Sequence, residues 1–217
     1  MIEAVVFDFD GVLANSEPLH LAAYQDVFGS LGVELTRDDY YTNYLGYDDR
    51  GVFMKLAISA GWSIDEERID VLVREKARVF DSAIQRTEVL YPSAAECVRR
   101  LAAELPLGIA SGALKHEIAM ILKRAGLDHH FRFIVAAGDT PHSKPWPDPY
   151  LHAAERHGIA PAKCVAIEDS RWGIVSAKAA GLPCVGITTT YPASELAAAD
   201  RVIGSLDEFT RQLIQSL

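Results

Sequence analysis

Asp8 and Asp10 stand at alternate positions at the end of an apolar run, Val5-Val6-Phe7-Asp8-Phe9-Asp10-Gly11. A short apolar run reads as a buried strand, and a charge buried at its end is costly unless a cation or a catalytic task compensates. Alternate strand residues point the same way, so the two carboxylates can approach one point. Gly11 then lets the backbone turn where a side chain would obstruct it. Taken alone, a D-x-D-G pattern reads equally well as an exposed acidic turn. The rest of the chain decides between the two.

From about residue 88 onward, helix-like and strand-like segments alternate. Helices are expected at 92–104, 115–125, 148–157 and 172–180, and near the C-terminus. Strands are expected at 107–111, 131–136, 164–167 and 183–187, with a last short one at 202–203. Gly126, Gly158 and Gly181 close three of the helices. Near-continuous apolar strands alternating with helices imply a parallel sheet covered on both faces. Residues 16–85 break this rhythm, with helix after helix and no convincing strand. Pro18 suits a helix start, with Leu19, Ala22, Ala23 and Val27 as its apolar stripe. Ser63-Ile64-Asp65-Glu66 reads as a capping box opening a long helix that carries Ile69, Leu72, Val73, Val79 and Phe80. The expected architecture is α/β: a doubly wound, Rossmann-like parallel-sheet core (1–15 and 86–217) with an inserted all-helical cap (16–85).

In such a sheet, ligands bind beyond the carboxyl ends of the strands. The first strand delivers Asp8 and Asp10, and the strand through Ile109 delivers Ser111-Gly112. The loop after Val135 delivers Lys144, within Ser143-Lys144-Pro145-Trp146-Pro147-Asp148. The strand through Val165 delivers Glu168-Asp169-Ser170. Each group alone has a plain reading: Ser111 as a helix-entry residue, Lys144 as a solvated lysine, Glu168-Asp169 as acids at a helix N-terminus. Their joint placement at successive strand ends carries the weight.

Composition narrows the partners. The chain of 217 residues has a formal net charge of -9 and no basic run, which argues against nucleic acid or an anionic membrane. Cys97, Cys164 and Cys184 are odd in number and lie in apolar segments, as reduced thiols do. His129, His130, His152 and His157 read as surface or helix-end residues, without metal-ligand spacing. The first strand leaves no room for a signal peptide, and no apolar run approaches the roughly 20 residues that span a bilayer. A cytoplasmic protein, monomeric or weakly dimeric, is expected.

These motifs, in this order, resemble the haloacid dehalogenase superfamily over essentially the whole chain. The similarity is strongest to the helical-cap phosphatase and β-phosphoglucomutase-like branch. Phe7 to Leu13 matches the first motif and Ala110-Ser111-Gly112 the second. Lys144-Pro145 with Pro147-Asp148 matches the third, and Glu168-Asp169-Ser170 with Gly173 and Ala180-Gly181 the fourth. The resemblance implies Asp8 as nucleophile forming an aspartyl-phosphate, and Asp10 as general acid and base. It implies Ser111 and the Gly112 N–H on a phosphoryl oxygen, with Lys144 neutralising nucleophile and phosphoryl group. Asp8, the Asp10 carbonyl, Glu168 and Asp169 are the implied Mg²⁺ ligands. Unit charges 4 Å apart interact by about 4 kcal/mol at an effective dielectric near 20. A phosphate facing three aspartates therefore needs more than one lysine, and catalysis without metal should be negligible.

The expected activity is hydrolysis of a small phosphorylated metabolite such as a sugar phosphate. A hexose phosphate mutase is the alternative, and a non-catalytic binding protein of the same fold is a third reading that the intact acids disfavour. The cap is expected to decide the substrate, with His20 and Arg50 as substrate-binding residues and contacts in the segment Tyr44-Leu45-Gly46-Tyr47-Asp48-Asp49-Arg50. His20 occupies the position of a histidine found in β-phosphoglucomutases, but it reads equally as a packed hinge residue. The mutase pattern has an arginine three residues after the glycine, where this chain has Asp49. Arg50 follows beside two acids, which favours the phosphatase. Trp146 and Trp172 either line the entrance or pack loop against helix.

Overall fold

In the computed structural model, which describes residues 1–44 and 47–217, the chain divides into two compact units. Met1–Asn15 with Val89–Leu217 forms one, and Ser16–Glu88 the other. The second unit was expected to end at residue 85 and runs on to Glu88. The Asn15 N–H donates to the Val89 carbonyl at 2.7 Å, and Ala14 bridges Leu90, so the excursion opens and closes at that backbone pairing.

β1 (Ala4–Phe7) precedes the helical unit, which contains α1 (Glu17–Gly29), the single turn α2 (Arg37–Asp39), a wider π-type turn at Tyr40–Tyr44, α3 (Asp49–Ser59) and α4 (Glu66–Ile84). The first unit resumes with α5 (Ala94–Ala102), β2 (Leu107–Ala110), α6 (Lys115–Arg124), β3 (Phe131–Val135) and α7 (Asp148–His157). It continues with β4 (Cys164–Glu168), α8 (Arg171–Ala179), β5 (Cys184–Ile187), β6 (Arg201–Ile203) and α9 (Arg211–Gln215).

The strands form one parallel sheet in the order β3-β2-β1-β4-β5-β6. The four inner strands are buried at every position, as a sheet covered on both faces requires, whereas edge strands β3 and β6 are only partly buried. β1 pairs with β2 on one side (Phe7 opposite Ile109) and with β4 on the other (Phe7 opposite Ile167). The chain order reverses at β1, the position where such sheets open a crevice at their carboxyl ends. All three cysteines are buried and unpaired. His157 ends α7 as expected, but it is buried beneath the sheet rather than at the surface. Among the described residues, no helix is long and apolar enough to cross a membrane.

The helical unit has its own apolar core, centred on Leu21, Tyr24, Phe28, Phe53, Leu56 and Leu72. The buried stripe of α1 is Leu21, Ala23, Tyr24, Val27 and Phe28, which displaces Leu19 and Ala22 from the expected face. Tyr24 decides the rotation: its ring joins the core while its hydroxyl donates to Asp49 Oδ1 at 2.6 Å. The cap of α4 is Asp65, not Ser63. The Asp65 carboxylate accepts the Arg68 N–H at 2.8 Å, and Ile64 and Ile69 then flank the cap in the apolar core as a hydrophobic staple.

Candidate active site

β1 ends at Phe7, but the Asp8 N–H continues its ladder by donating to the Ile167 carbonyl at 3.0 Å. Asp8 is thereby seated beside the end of β4, which supplies Glu168 and then Asp169. All three carboxylates are buried, at 7%, 0% and 6% exposure. Their ligand oxygens lie within 4.8 Å of one another. Lys144 reaches between two of them, donating to Asp8 Oδ1 at 2.8 Å and to Glu168 Oε1 at 2.5 Å. So Asp8, Lys144, Glu168 and Asp169 converge, the last two from the end of β4 and the residue after it.

Asp10 follows in a turn rather than on the strand. The Gly11 N–H donates to the Ala14 carbonyl, and the Leu13 and Ala14 N–H groups donate to the Phe9 carbonyl. This turn requires glycine for two reasons. Gly11 has φ +78, and a Cβ there would lie 1.9 Å from Asp169 Oδ2. The Asp10 charge still bears on Asp8, raising its pKa. Ser111 is buried next to the end of β2, where its hydroxyl accepts the Ala113 N–H at 3.1 Å. A Cβ on Gly112 would meet open space, so approach to its backbone is unobstructed.

Three buried carboxylates against one ammonium leave an excess of negative charge, and the protonation equilibria record it. Burial, then Glu168, push the Asp8 carboxyl up to about 7, although Lys144 opposes this. Burial, then Asp8 and Glu168, push Asp169 well above the usual carboxylate range. For Lys144, burial pulls downward, but the Asp8 and Glu168 carboxylates outweigh it and the ammonium is stabilised. An all-oxygen donor set with uncompensated charge suits a hard divalent cation such as Mg²⁺. The residues present therefore fit the metal that the motifs imply.

Supporting groups complete the site: Ser170 and Gly173 belong to the expected fourth motif, whereas Tyr150 and Thr190 were not anticipated. Tyr150, fully buried on α7, donates its hydroxyl to Glu168 Oε1 at 2.7 Å. Ser170 donates to Glu168 Oε2 at 3.2 Å while capping α8 through the Gly173 N–H. A Cβ on Gly173 would lie 1.8 Å from Glu168 Oε1, so that glycine makes room for the acid at the helix N-terminus. Thr190 hydrogen-bonds with the Asp169 carboxylate. A polar run, Thr188-Thr189-Thr190, after the apolar strand β5 was the signal that could have flagged this loop.

Trp146 and Trp172 are 59% and 49% exposed. The Trp146 carbonyl accepts from Ser176 on α8, and the Arg171 guanidinium lies 4.5 Å from the Trp172 ring centre.

His20 and Arg50 find their partners within the helical unit. His20 Nδ1 is 2.7 Å from Lys76 Nζ, and its ring stacks on Phe80. Arg50 forks onto Glu66 and Asp70, Asp48 caps α3 through the Gly51 N–H, and Asp49 takes Lys76 at 2.8 Å. The adjacent acids are thus not what occupies Arg50. Glu66 and Asp70 at the start of α4 do so. Leu45 and Gly46 of this segment lie outside the described residues.

Comparison with known proteins agrees with this geometry. The haloacid dehalogenase-like hydrolase family model matches residues 5–187. Hexitol phosphatase B of Escherichia coli (strain K12) is 32% identical over 212 residues, covering 96% of this chain and 95% of that protein. CbbY from Rhodobacter sphaeroides in complex with phosphate superposes with a TM-score of 0.88 at 28% identity, covering 100% of both chains. The β-phosphoglucomutase of Clostridium difficile has a TM-score of 0.86 at 24% identity, covering 100% of this chain and 96% of that one, and so shares the fold. With buried acids and one lysine gathered at the carboxyl ends of β1 and β4, the chain belongs to the haloacid dehalogenase-like hydrolases, as an enzyme of the phosphoric monoester hydrolase class.

Proposed function

We propose that this enzyme is a Mg²⁺-dependent phosphatase acting on a small phosphate monoester of the sugar phosphate class, through a phosphoenzyme on Asp8. The observation that carries the reading is the Lys144 ammonium bridging Asp8 and Glu168 beside Asp169. Asp8, Glu168 and Asp169, with the Asp10 carbonyl, would hold the cation, which supplies charge neutralisation to the carboxylates and the incoming phosphate. Lys144 orients Asp8 and opposes the upward push of burial on its carboxyl. An Asp8 oxygen attacks phosphorus as the ester P–O bond breaks, and Asp10 gives its proton to the leaving oxygen. Asp10 then takes a proton from water, whose oxygen bonds to phosphorus as the Asp8–phosphorus bond breaks. Ser111 and the open Gly112 backbone would bind phosphoryl oxygens.

The commitment of Arg50 to Glu66 and Asp70, and of Lys76 to Asp49, supports hydrolysis over mutase chemistry, which needs a cation to hold a remote phosphate. A screen of sugar phosphates with Mg²⁺ tests the reading. We expect free phosphate from wild type, and loss of turnover in Asp8→Asn with the fold retained. Turnover by Asp8→Asn, or undiminished activity in excess chelator, would sink it. Fast interconversion of β-glucose 1-phosphate and glucose 6-phosphate with little phosphate released would restore the mutase.

A further inference from the structure

We propose that Thr189 and Thr190, on the loop after β5, clamp the Asp10–Gly11 turn and the Asp169 carboxylate in register, as positioning residues of the cation site. The inference rests on the phosphatase reading above and adds another strand end to the site.

The geometry supporting it is local. Thr188 prolongs the pairing of β5 with β6, its N–H donating to the Ile203 carbonyl at 3.0 Å. Tyr191, on the other side, packs against the apolar cluster that contains Leu196. The two threonines between these anchors have little freedom. The Thr189 hydroxyl donates to the Gly11 carbonyl, on the turn that carries Asp10. The Thr190 hydroxyl hydrogen-bonds with the Asp169 carboxylate. A Cβ on Gly11 would sit 1.9 Å from Asp169 Oδ2 and 2.7 Å from Thr190 Oγ1, so turn, acid and threonine meet at one point. Groups that orient a ligating carboxylate typically contribute 10–100-fold to metal affinity. Two consecutive hydroxyls acting on two separate parts of the site make the loop a template, where either alone would be a stray surface contact.

The test is titration of metal-free protein with Mg²⁺ by calorimetry, with no substrate present. Thr190→Val should weaken Mg²⁺ binding by about tenfold or more, and Thr190→Ser, which keeps the hydroxyl, should restore it to near the wild-type value. Thr189→Val should lower kcat several-fold with KM little changed, because it loosens the Asp10 turn. Thr190 is exposed, so these variants should fold, and Thr190→Ala provides the same comparison if the valine does not. A Thr190→Val affinity within twofold of wild type overturns the clamp. Equal losses in Thr190→Val and Thr190→Ser also overturn it. Either result leaves the phosphatase reading intact, because that reading is tested separately, by phosphate release from the wild type, by Asp8→Asn and by chelator.

Discussion

Lys144 offers one ammonium to two buried carboxylates, and its placement bears on the roles proposed for Asp8 and Asp10. Asp8 is fixed by the lysine and by its backbone bond to β4, as a nucleophile should be. Asp10 sits on a turn, where it can serve proton transfer in both half-reactions. Asp10→Asn should therefore slow phosphoenzyme formation far more for a sugar phosphate than for an activated phenyl phosphate. A phenolate leaves without its proton, so the general-acid contribution of about 10²–10⁴-fold largely vanishes for it. Single-turnover measurements on both substrates check this, and equal losses would remove Asp10 from the acid role. The acids proposed to react stood out in the sequence through their joint placement at successive strand ends, since each alone had a plain reading. Tyr150 and Thr190 were not. A tyrosine in a helix and a threonine in a loop have ordinary reasons to be there, and only the fold brings their hydroxyls to Glu168 and Asp169.

Within the helical unit, α4 shows how one side chain can redirect an element. Lys76 is fully buried, at a position where periodicity asks for an apolar residue. It is retained by Asp49 at 2.8 Å and His20 Nδ1 at 2.7 Å, with Tyr24 donating to the same Asp49 oxygen. Burial, then Lys76, push His20 well below the ordinary histidine range, so its ring is neutral and Nδ1 accepts from the ammonium. Breaking such a pair strands a buried charge, which costs about 3–5 kcal/mol, whereas replacing both partners by apolar residues is often neutral. Asp49→Ala should therefore destabilise the protein by about 3 kcal/mol in urea unfolding, and Lys76→Met combined with Asp49→Leu should recover much of that. A double variant no more stable than the sum of its singles would argue that the pair is not coupled. This network also explains why the buried face of α1 is rotated from the expected one: Tyr24, absent from the expected stripe, links core and ion pair. Likewise Ser63 fitted a capping pattern, but Asp65 wins because it leaves Ile64 and Ile69 free to pack.

At the scale of the whole sheet, the alternation of elements was legible, but the strand order was not, because local patterns do not say which side of β1 each crossover takes. That order puts the acids at one end of β1 and leaves His157 toward the other, in a close-packed layer. A Cβ on Gly108 would lie 2.4 Å from the Phe133 ring and 3.0 Å from His157 Nε2, so this spot admits glycine and a flat imidazole. Neither ring nitrogen has an ordinary hydrogen-bond partner among the described residues. Burial lowers the His157 pKa to about 4, against a weaker upward pull from the Val5 backbone. The unfolded chain then binds a proton near pH 6.5 that the native state refuses until about pH 4. Stability is therefore full above pH 6.5 and falls as the pH drops through that window, by up to about 3 kcal/mol at roughly 1.4 kcal/mol per unit. Asp8, whose pKa is raised to about 7, acts in the opposite sense across the same range, so the absolute curve mixes the two. Comparing His157→Leu with wild type at each pH cancels the Asp8 contribution. The stability difference should shift in favour of the variant by about 2–3 kcal/mol between pH 7 and pH 4. Parallel denaturation curves across that range would mean that His157 is protonated in the native protein, and that the sheet accommodates the charge.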